Sequence, residues 1–259
     1  MLSTTQLRSY QTTGYTLVPG VLSPAETERV RREIEHLFHQ EHPGRVLEKD
    51  GRTVRGIHGC HQVSPLVARL ARRSPVLTAA ERILDGQVYV HQSKVNAKRA
   101  FQGDLWPWHQ DYVFWQREDG MREPRATNVA FFLDEVTPHN GPLLFLPGSH
   151  RLDTGDTEGR GGEGDWKSHL SADLKYALTP ERLRPLAERL GIESATGPAG
   201  SMLLFDPRLI HGSGTNMSPV DRTLLLLTYN SVHNVPTGGS RPAFLAEPDH
   251  TPLTALDEL

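Results

Sequence analysis

The sequence predicts a mainly β fold, a sandwich or barrel, preceded by helices. Beyond about residue 87, short apolar or alternating runs such as VYVHQSKVNAK (88–98) are separated by turn residues such as His139-Asn140-Gly141-Pro142. Short strands with turn signals between them are typical of sandwiches and barrels. Before residue 87, apolar residues recur at helical spacing instead, which predicts a helical flank.

The helical flank has clear start signals. In Ser23-Pro24-Ala25-Glu26 the serine, the proline and the glutamate occupy the cap, N1 and N3 positions of a helix. Ser64 and Pro65 form a similar start further on. Helices are therefore predicted at residues 3–13, 24–39 and 64–85, with a short strand and turn at 15–22.

The strands of the β part are read from apolar and alternating runs. They are predicted at residues 88–98, 126–136, 143–147, 200–206 and 224–232. Between them, residues 153–165 are rich in glycine and charge and contain few apolar residues, which indicates a mobile loop at about 152–168. We interpret residues 1–259 as a single domain with a mostly helical flank (1–86) and a β core (87–235).

Composition narrows the class of protein. Hydrophobic residues make up 37% of the chain and charged residues 23%, as in ordinary globular proteins. The net charge of -3 does not favour nucleic acid as a partner. The single cysteine, Cys60, excludes an internal disulfide, and no apolar run approaches the roughly 18–20 residues of a membrane span. We therefore predict a cytoplasmic protein with neither nucleic-acid nor membrane partners; its oligomeric state is left open.

The stretch WHQD contains the first candidate for a site. In a strand, residues two apart point to the same face, so His109 and Asp111 would address one metal ion. His211 follows an apolar strand and offers a third ligand, which would complete the two-histidine, one-carboxylate triad of non-haem Fe(II) oxygenases. Arg222, eleven residues later, would bind a carboxylate. Each residue alone is more often structural, but this combination in this order is hard to obtain by chance.

Three motifs carry a family resemblance. WHQD, NGPLLFLPGSHR (140–151) and HGSGTNMSPVDR (211–222) resemble the phytanoyl-CoA dioxygenase family of Fe(II)/2-oxoglutarate oxygenases. The similarity is greatest to bacterial members that act on small free metabolites, namely ectoine hydroxylase and the leucine 5-hydroxylase of the griselimycin type. It implies a double-stranded β-helix, which is a cupin-like jelly roll with flanking helices. It also implies Fe(II) as the metal cofactor, 2-oxoglutarate as the co-substrate, and O2.

The resemblance also implies roles for individual residues. His109, Asp111 and His211 match the catalytic iron ligands. Four further residues match the co-substrate site: Arg222 pairs with the distal carboxylate of 2-oxoglutarate, Ser213 assists it, and Asn96 and Gln92 lie beside it. Trp115 matches an aromatic wall of the substrate pocket.

The substrate is expected to be a free L-amino acid with an aliphatic side chain of leucine size. The resemblance at 47–61 and 88–101 favours this substrate, and the anchored amino and carboxylate groups would leave the distal side chain to reach the metal. For the cation that binds the substrate carboxylate we predict Arg55, with Lys94 and Lys98 as competitors. Glu118 and Asp119, in the same stretch as WHQD, are expected to be solvated.

Other functions remain open from sequence. Citrulline, arginine or an ectoine-like metabolite is an alternative small substrate, and a carrier-bound or CoA-linked acyl group is an alternative with the same chemistry. A metal-binding, cupin-like protein without oxygenase activity is the alternative of a different class. Arg222 beside the triad argues against that last alternative, because a simple metal binder needs no anchor for 2-oxoglutarate.

Overall fold

Two facing antiparallel sheets form the centre of the molecule in the computed structural model, which describes residues 2–153, 174–239 and 241–259. The mobile loop predicted at 152–168 therefore lies, from residue 154 onward, outside the described residues. The mainly β fold with flanking helices, a double-stranded β-helix, is confirmed. No helix in the described ranges combines the length and apolar character that a membrane crossing requires.

The elements follow one another in a helical flank and a β core. The flank contains α1 (Thr4–Thr13), β1 (Tyr15–Val18), α2 (Pro24–Phe38), β2 (Arg45–Leu47), β3 (Val54–His58), α3 (Cys60–Val63), α4 (Pro65–Arg72) and α5 (Ser74–Leu84). The core contains β4 (Val88–Lys98), β5 (Trp106–His109), α6 (Asp111–Glu118), β6 (Ala126–Phe132), β7 (Leu143–Phe145), α7 (Pro180–Leu190), β8 (Glu193–Ala195), β9 (Met202–Phe205), β10 (His211–Ser213) and β11 (Arg222–Ser231).

The two sheets differ in size and surroundings. The large sheet has the order β1-β9-β6-β11-β4-β3-β2, and the small sheet has the order β5-β10-β7-β8. Alternate residues of β6 and β11 face opposite sides: Phe131 and Leu225 pack with the helices of the flank, whereas Phe132 and Leu226 pack in the cluster that contains Phe145 of the small sheet. The helices therefore cover the outer face of the large sheet, and the candidate site opens between the sheets.

Two predicted elements differ from the observed ones. The helix expected over 64–85 is two helices, because Arg73 is extended (φ -60°, ψ 129°) and caps α5. Pro75 lies in the first turn of α5, where a backbone N–H would have no acceptor within the helix, so its absence costs no hydrogen bond. The stretch WHQD is also not one strand: β5 ends at His109, and α6 begins at Asp111. The same-face argument for His109 and Asp111 was therefore wrong in its geometry.

Candidate active site

Three side chains converge at the mouth between the sheets. The possible ligand atoms of His109, Asp111 and His211 all lie within 4.8 Å of one another. Asp111 Oδ1 is 3.6 Å from His109 Nε2, and Asp111 Oδ2 is 3.7 Å from His211 Nε2. Strand pairing places His109 directly opposite His211, and Asp111 reaches the same point from the first turn of α6. The structure therefore brings together the three residues that the sequence prediction grouped, but Asp111 arrives from a helix and not from the strand of His109.

The backbone orients both imidazoles. His109 Nδ1 is 2.7 Å from the carbonyl oxygen of Pro107, and His211 Nδ1 is 2.9 Å from that of Leu209. Only a protonated Nδ1 can donate to a carbonyl, so each Nε2 is left with a lone pair for a metal ion. Burial and the neighbouring His109 lower the pKa of His211 to about 3, so this ring is neutral at physiological pH.

The third ligand is held as a carboxylate. Burial favours the neutral acid, but Lys94, His109 and His211 more than offset it and hold the pKa of Asp111 well below its usual range. Lys94 Nζ is 3.4 Å from Asp111 Oδ1, and Asn128 Nδ2 donates to Oδ2 at 2.9 Å. A buried anion flanked by two imidazoles fits a divalent iron ion and leaves positions open for other ligands.

A second polar group lies deeper between the sheets. Arg222 is fully buried, and its guanidinium donates to Gly141 O at 2.7 Å and more weakly to Asn96 Oδ1 at 3.4 Å. Among the described residues it forms no ion pair, and its Nε and the hydroxyl of the buried Ser213 have no hydrogen-bond partner. Burial and the nearby Arg55 lower the pKa of Arg222 to about 9. A buried cation that forms no ion pair among the described residues, together with a buried hydroxyl that has no hydrogen-bond partner, fits the distal carboxylate of 2-oxoglutarate.

A cavity runs outward from the triad. Its wall includes the apolar side chains of Val46, Phe114, Trp115 and Leu174, and its polar lining includes His58, Gln92, Lys94 and Arg241. Gln92 donates to Leu245 O at 2.8 Å, so its amide also holds the chain near Arg241. Asn96 lines the cavity on the side of Arg222, and we call the other side, lined by Gln92, Trp115 and Arg241, the outer end.

The three cationic side chains predicted to bind the substrate carboxylate lie in different surroundings. Arg55 lines the cavity, but it is paired with Glu48 at 3.1 Å, donates to Leu105 O at 2.7 Å and stacks on the Trp106 ring at 3.9 Å. Lys94 faces the triad. Lys98 donates to two backbone carbonyls at 2.6 and 2.5 Å; burial and two arginines lower its pKa to about 6.

Sequence reasoning missed two residues of the site. Asp119 was expected to be solvated, but only 1% of it is exposed, and it pairs with Arg241. The expectation was wrong because Asp119 ends α6 on its inner side, against His91. Arg241 lies 122 residues away and carries no local motif, so no sequence signal pointed to it.

Comparison with known proteins agrees with this geometry. The model of the family "Phytanoyl-CoA dioxygenase (PhyH)" matches residues 10–224. The chain belongs to this family. The resemblance seen in WHQD and the two later motifs is thereby confirmed, and so is the prediction of an enzyme of the Fe(II)/2-oxoglutarate dioxygenase class.

Individual relatives cover nearly all of this dioxygenase. The L-proline trans-4-hydroxylase of Streptomyces griseoviridis is 43% identical, and the match spans 96% of this chain and 94% of that protein. The ectoine dioxygenase of Halomonas elongata is 36% identical over 96% of this chain and 77% of that protein. The structure of EctD from S. alaskensis with 2-oxoglutarate and 5-hydroxyectoine has a TM-score of 0.83 at 33% identity, covering 99% of this chain and 86% of that one.

Proposed function

We propose that this dioxygenase hydroxylates a free amino acid with Fe(II) and 2-oxoglutarate. The observation that carries the proposal is a His–Asp–His triad in the wall of a cavity whose lining residue Asn96 contacts a buried arginine, Arg222, that forms no ion pair among the described residues. When bound, iron and 2-oxoglutarate supply the oxidising chemistry: dioxygen and 2-oxoglutarate yield succinate and carbon dioxide, and one oxygen atom enters a substrate C–H bond. The chain's own residues bind and orient both substrates and exclude water.

In this proposal the co-substrate and the substrate occupy opposite ends of the cavity. His109, Asp111 and His211 would hold iron, Arg222 and Ser213 would bind the distal carboxylate of 2-oxoglutarate, and Asn96 would flank it. Lys94 lies beside Asp111, where it would meet an anion bound at the metal. Gln92, Trp115 and Arg241 would then face the amino acid at the outer end.

For the substrate carboxylate we propose Arg241 rather than Arg55. The guanidinium of Arg55 is held by three groups and is 3% exposed, whereas the hydrogen bonds of Arg241 use Nε and one terminal nitrogen and leave the side chain 16% exposed in the cavity lining. Asp111 is the sole carboxylate among the described lining residues, so a cationic side chain such as that of arginine would have no second anion to pair with. A compact apolar side chain against Trp115 fits this lining better.

Two amino acids are the first candidates. L-Proline is favoured by the relative that is 43% identical over nearly the whole chain, and leucine is the substrate expected from the sequence resemblance. Both are apolar and of similar size, and an apolar pocket discriminates one methylene by only about 1–3 kcal/mol. Ectoine is the next candidate, because ectoine dioxygenases match at 32–36% identity. The assignment to the cytoplasm remains a proposal as well.

A competition experiment tests the substrate. The enzyme reconstituted with Fe(II) receives 2-oxoglutarate and an equimolar mixture of proline, leucine, citrulline, arginine and ectoine, and products are identified by mass. We expect oxygen to enter proline or leucine first. Hydroxylation of citrulline or arginine alone would refute the apolar pocket. If no free amino acid is modified and a parallel assay shows hydroxylation of a carrier-bound acyl group, the proposal is replaced by the carrier-bound alternative.

A further inference from the structure

A buried ion pair joins Asp119, directly after α6, to Arg241 in the chain beyond β11. Arg241 Nε lies 2.6 Å from Asp119 Oδ1, and one terminal nitrogen of Arg241 contacts Oδ2. His91, which is fully buried, adds a hydrogen bond to Oδ2 at 3.1 Å. Burial would raise the pKa of Asp119, but His91 and Arg241 more than offset it, so the group is an anion.

The position of Asp119 connects three parts of the candidate site. Asp119 immediately follows α6, which begins with Asp111 and carries Trp115 on the cavity wall. His91, the other partner of Asp119, packs edge-on against the Trp115 ring, with ring centroids 5.5 Å apart. Asp119 therefore sets the direction of Arg241 relative to the metal ligand and the aromatic wall at the same time.

The segment that carries Arg241 is also held by hydrogen bonds at Glu247. We call the contacts of Arg241 and those of Glu247 its two fastenings. We call residues 241–247 the C-terminal segment. Glu247 accepts from Gln62 at 2.7 Å and lies 2.9 Å from His61 Nε2, and its backbone N–H donates to His91 O at 2.9 Å. This second fastening lies away from the cavity, because neither Glu247 nor its side-chain partners line it. The two fastenings can therefore be tested separately.

We propose that Asp119 is a positioning residue that aims Arg241 at the carboxylate of the substrate. This inference rests on the proposed function. Asp119 engages Nε and one terminal nitrogen of the guanidinium, which leaves the other terminal nitrogen for a second anion. The family model matches only up to residue 224, so Arg241 lies beyond the part of the chain that the family model describes. Arg241, aimed by Asp119, would thus determine which substrate binds rather than how iron is held.

The alternative is that the ion pair only fastens the C-terminal segment. In that case, breaking either fastening should have the same effect on the enzyme. The variants Asp119→Asn and Glu247→Gln make this comparison, because each removes one carboxylate charge at nearly constant volume. Arg241→Gln and the double variant Asp119→Asn/Arg241→Gln complete a double-mutant cycle.

The measurements are the KM values for the amino acid and for 2-oxoglutarate, kcat, and the amino acid Kd by anaerobic calorimetry on the protein loaded with Fe(II) and 2-oxoglutarate. We expect Asp119→Asn to raise the amino acid KM and Kd by about 10-fold or more, and the KM for 2-oxoglutarate to change less than about 2-fold. Glu247→Gln should leave the amino acid KM within about 2-fold. The double variant should be no worse than Arg241→Gln, because Asp119 acts through Arg241.

Three results would overturn the inference. They are an unchanged amino acid KM in Asp119→Asn, equal effects of Asp119→Asn and Glu247→Gln, and additive effects in the double variant. Thermal unfolding of each variant checks that it is folded. If Asp119→Asn does not fold, Arg241→Lys provides a second test because it keeps the charge. Arg241→Lys should then retain more affinity for the amino acid than Arg241→Gln. A wild-type enzyme that binds no amino acid refutes the proposed function itself, which is a distinct outcome.

Discussion

Single side chains decide whether this site can hold iron. Removing the imidazole in His109→Ala takes away one of the three proposed ligands, so we expect turnover to be abolished and Fe(II) affinity to fall by about 10-fold or more while the protein stays folded. Anaerobic calorimetry with Fe(II) and circular dichroism measure the two properties. His139→Ala is the matched control, because His139 is exposed in a turn outside the triad. Undiminished product formation in His109→Ala would refute the ligand assignment.

Arg222 offers the matching test for the co-substrate. Arg222→Ala should raise the KM for 2-oxoglutarate about 30-fold or more, because removing one partner of a buried charged pair costs about 2–5 kcal/mol. The KM for the amino acid should change far less, since Arg222 lies deep between the sheets. Steady-state kinetics with each substrate varied in turn distinguishes the two effects. If only the amino acid KM rises, the two ends of the cavity are assigned in reverse.

His58 provides a pH test of stability. Burial, with Lys94 and Arg241 nearby, lowers its pKa from 6.5 to about 3 in the folded protein. Between pH 6.5 and 3 the unfolded chain therefore binds a proton that the folded protein does not, so stability falls as the pH drops. The loss from this group is at most about 1.4 kcal/mol per pH unit. Urea unfolding at about pH 7.5 and about pH 5 should show a smaller loss in His58→Gln; an equal loss would contradict the lowered pKa.

At the scale of elements, the sequence predicted which elements exist better than where they end. The strand predicted at 88–98 matches β4 at both ends. The residues of WHQD were assigned to one strand because spacing two apart suits a strand, but the helix start at Asp111 gives the carboxylate a favourable N-terminal position. Spacing does not distinguish these two geometries. The candidate ligands were still found, because residue type limits metal ligands more than secondary structure does.

The junction between the flank and the large sheet gives an element-scale prediction. Gly200 has φ +84°, and a Cβ there would lie 2.4 Å from Leu22 O, which belongs to the turn before α2. Gly20 has φ +66° with nothing within 4 Å of a Cβ. Gly20→Ala should cost about 1–2 kcal/mol for the left-handed conformation alone, and Gly200→Ala should cost about 1–3 kcal/mol more for the overlap. Urea unfolding measures the free energy of unfolding of both variants. Equal losses of stability would contradict the predicted overlap of the new Cβ with Leu22 O.

At the scale of the whole molecule, the sequence predicted the fold and grouped the three candidate metal ligands, but it did not predict the pairing beside the outer end of the cavity. The motifs around His109, His211 and Arg222 are local, and each lies beside a strand. The pairing of Asp119 with Arg241 spans 122 residues and depends on how the C-terminal segment returns to α6, which no local pattern encodes. The residues that we propose for binding the substrate carboxylate were therefore the hardest to predict.

The most direct test of the central proposal follows oxygen atoms. The Fe(II)-loaded enzyme is given 2-oxoglutarate, proline or leucine, and oxygen gas enriched in a heavy isotope, and succinate and the amino acid are analysed by mass spectrometry. We predict one labelled oxygen in succinate and one in the hydroxylated amino acid, with the two products formed in equal amounts. Labelled succinate without any labelled amino acid would contradict free amino acid hydroxylation as the function of this enzyme.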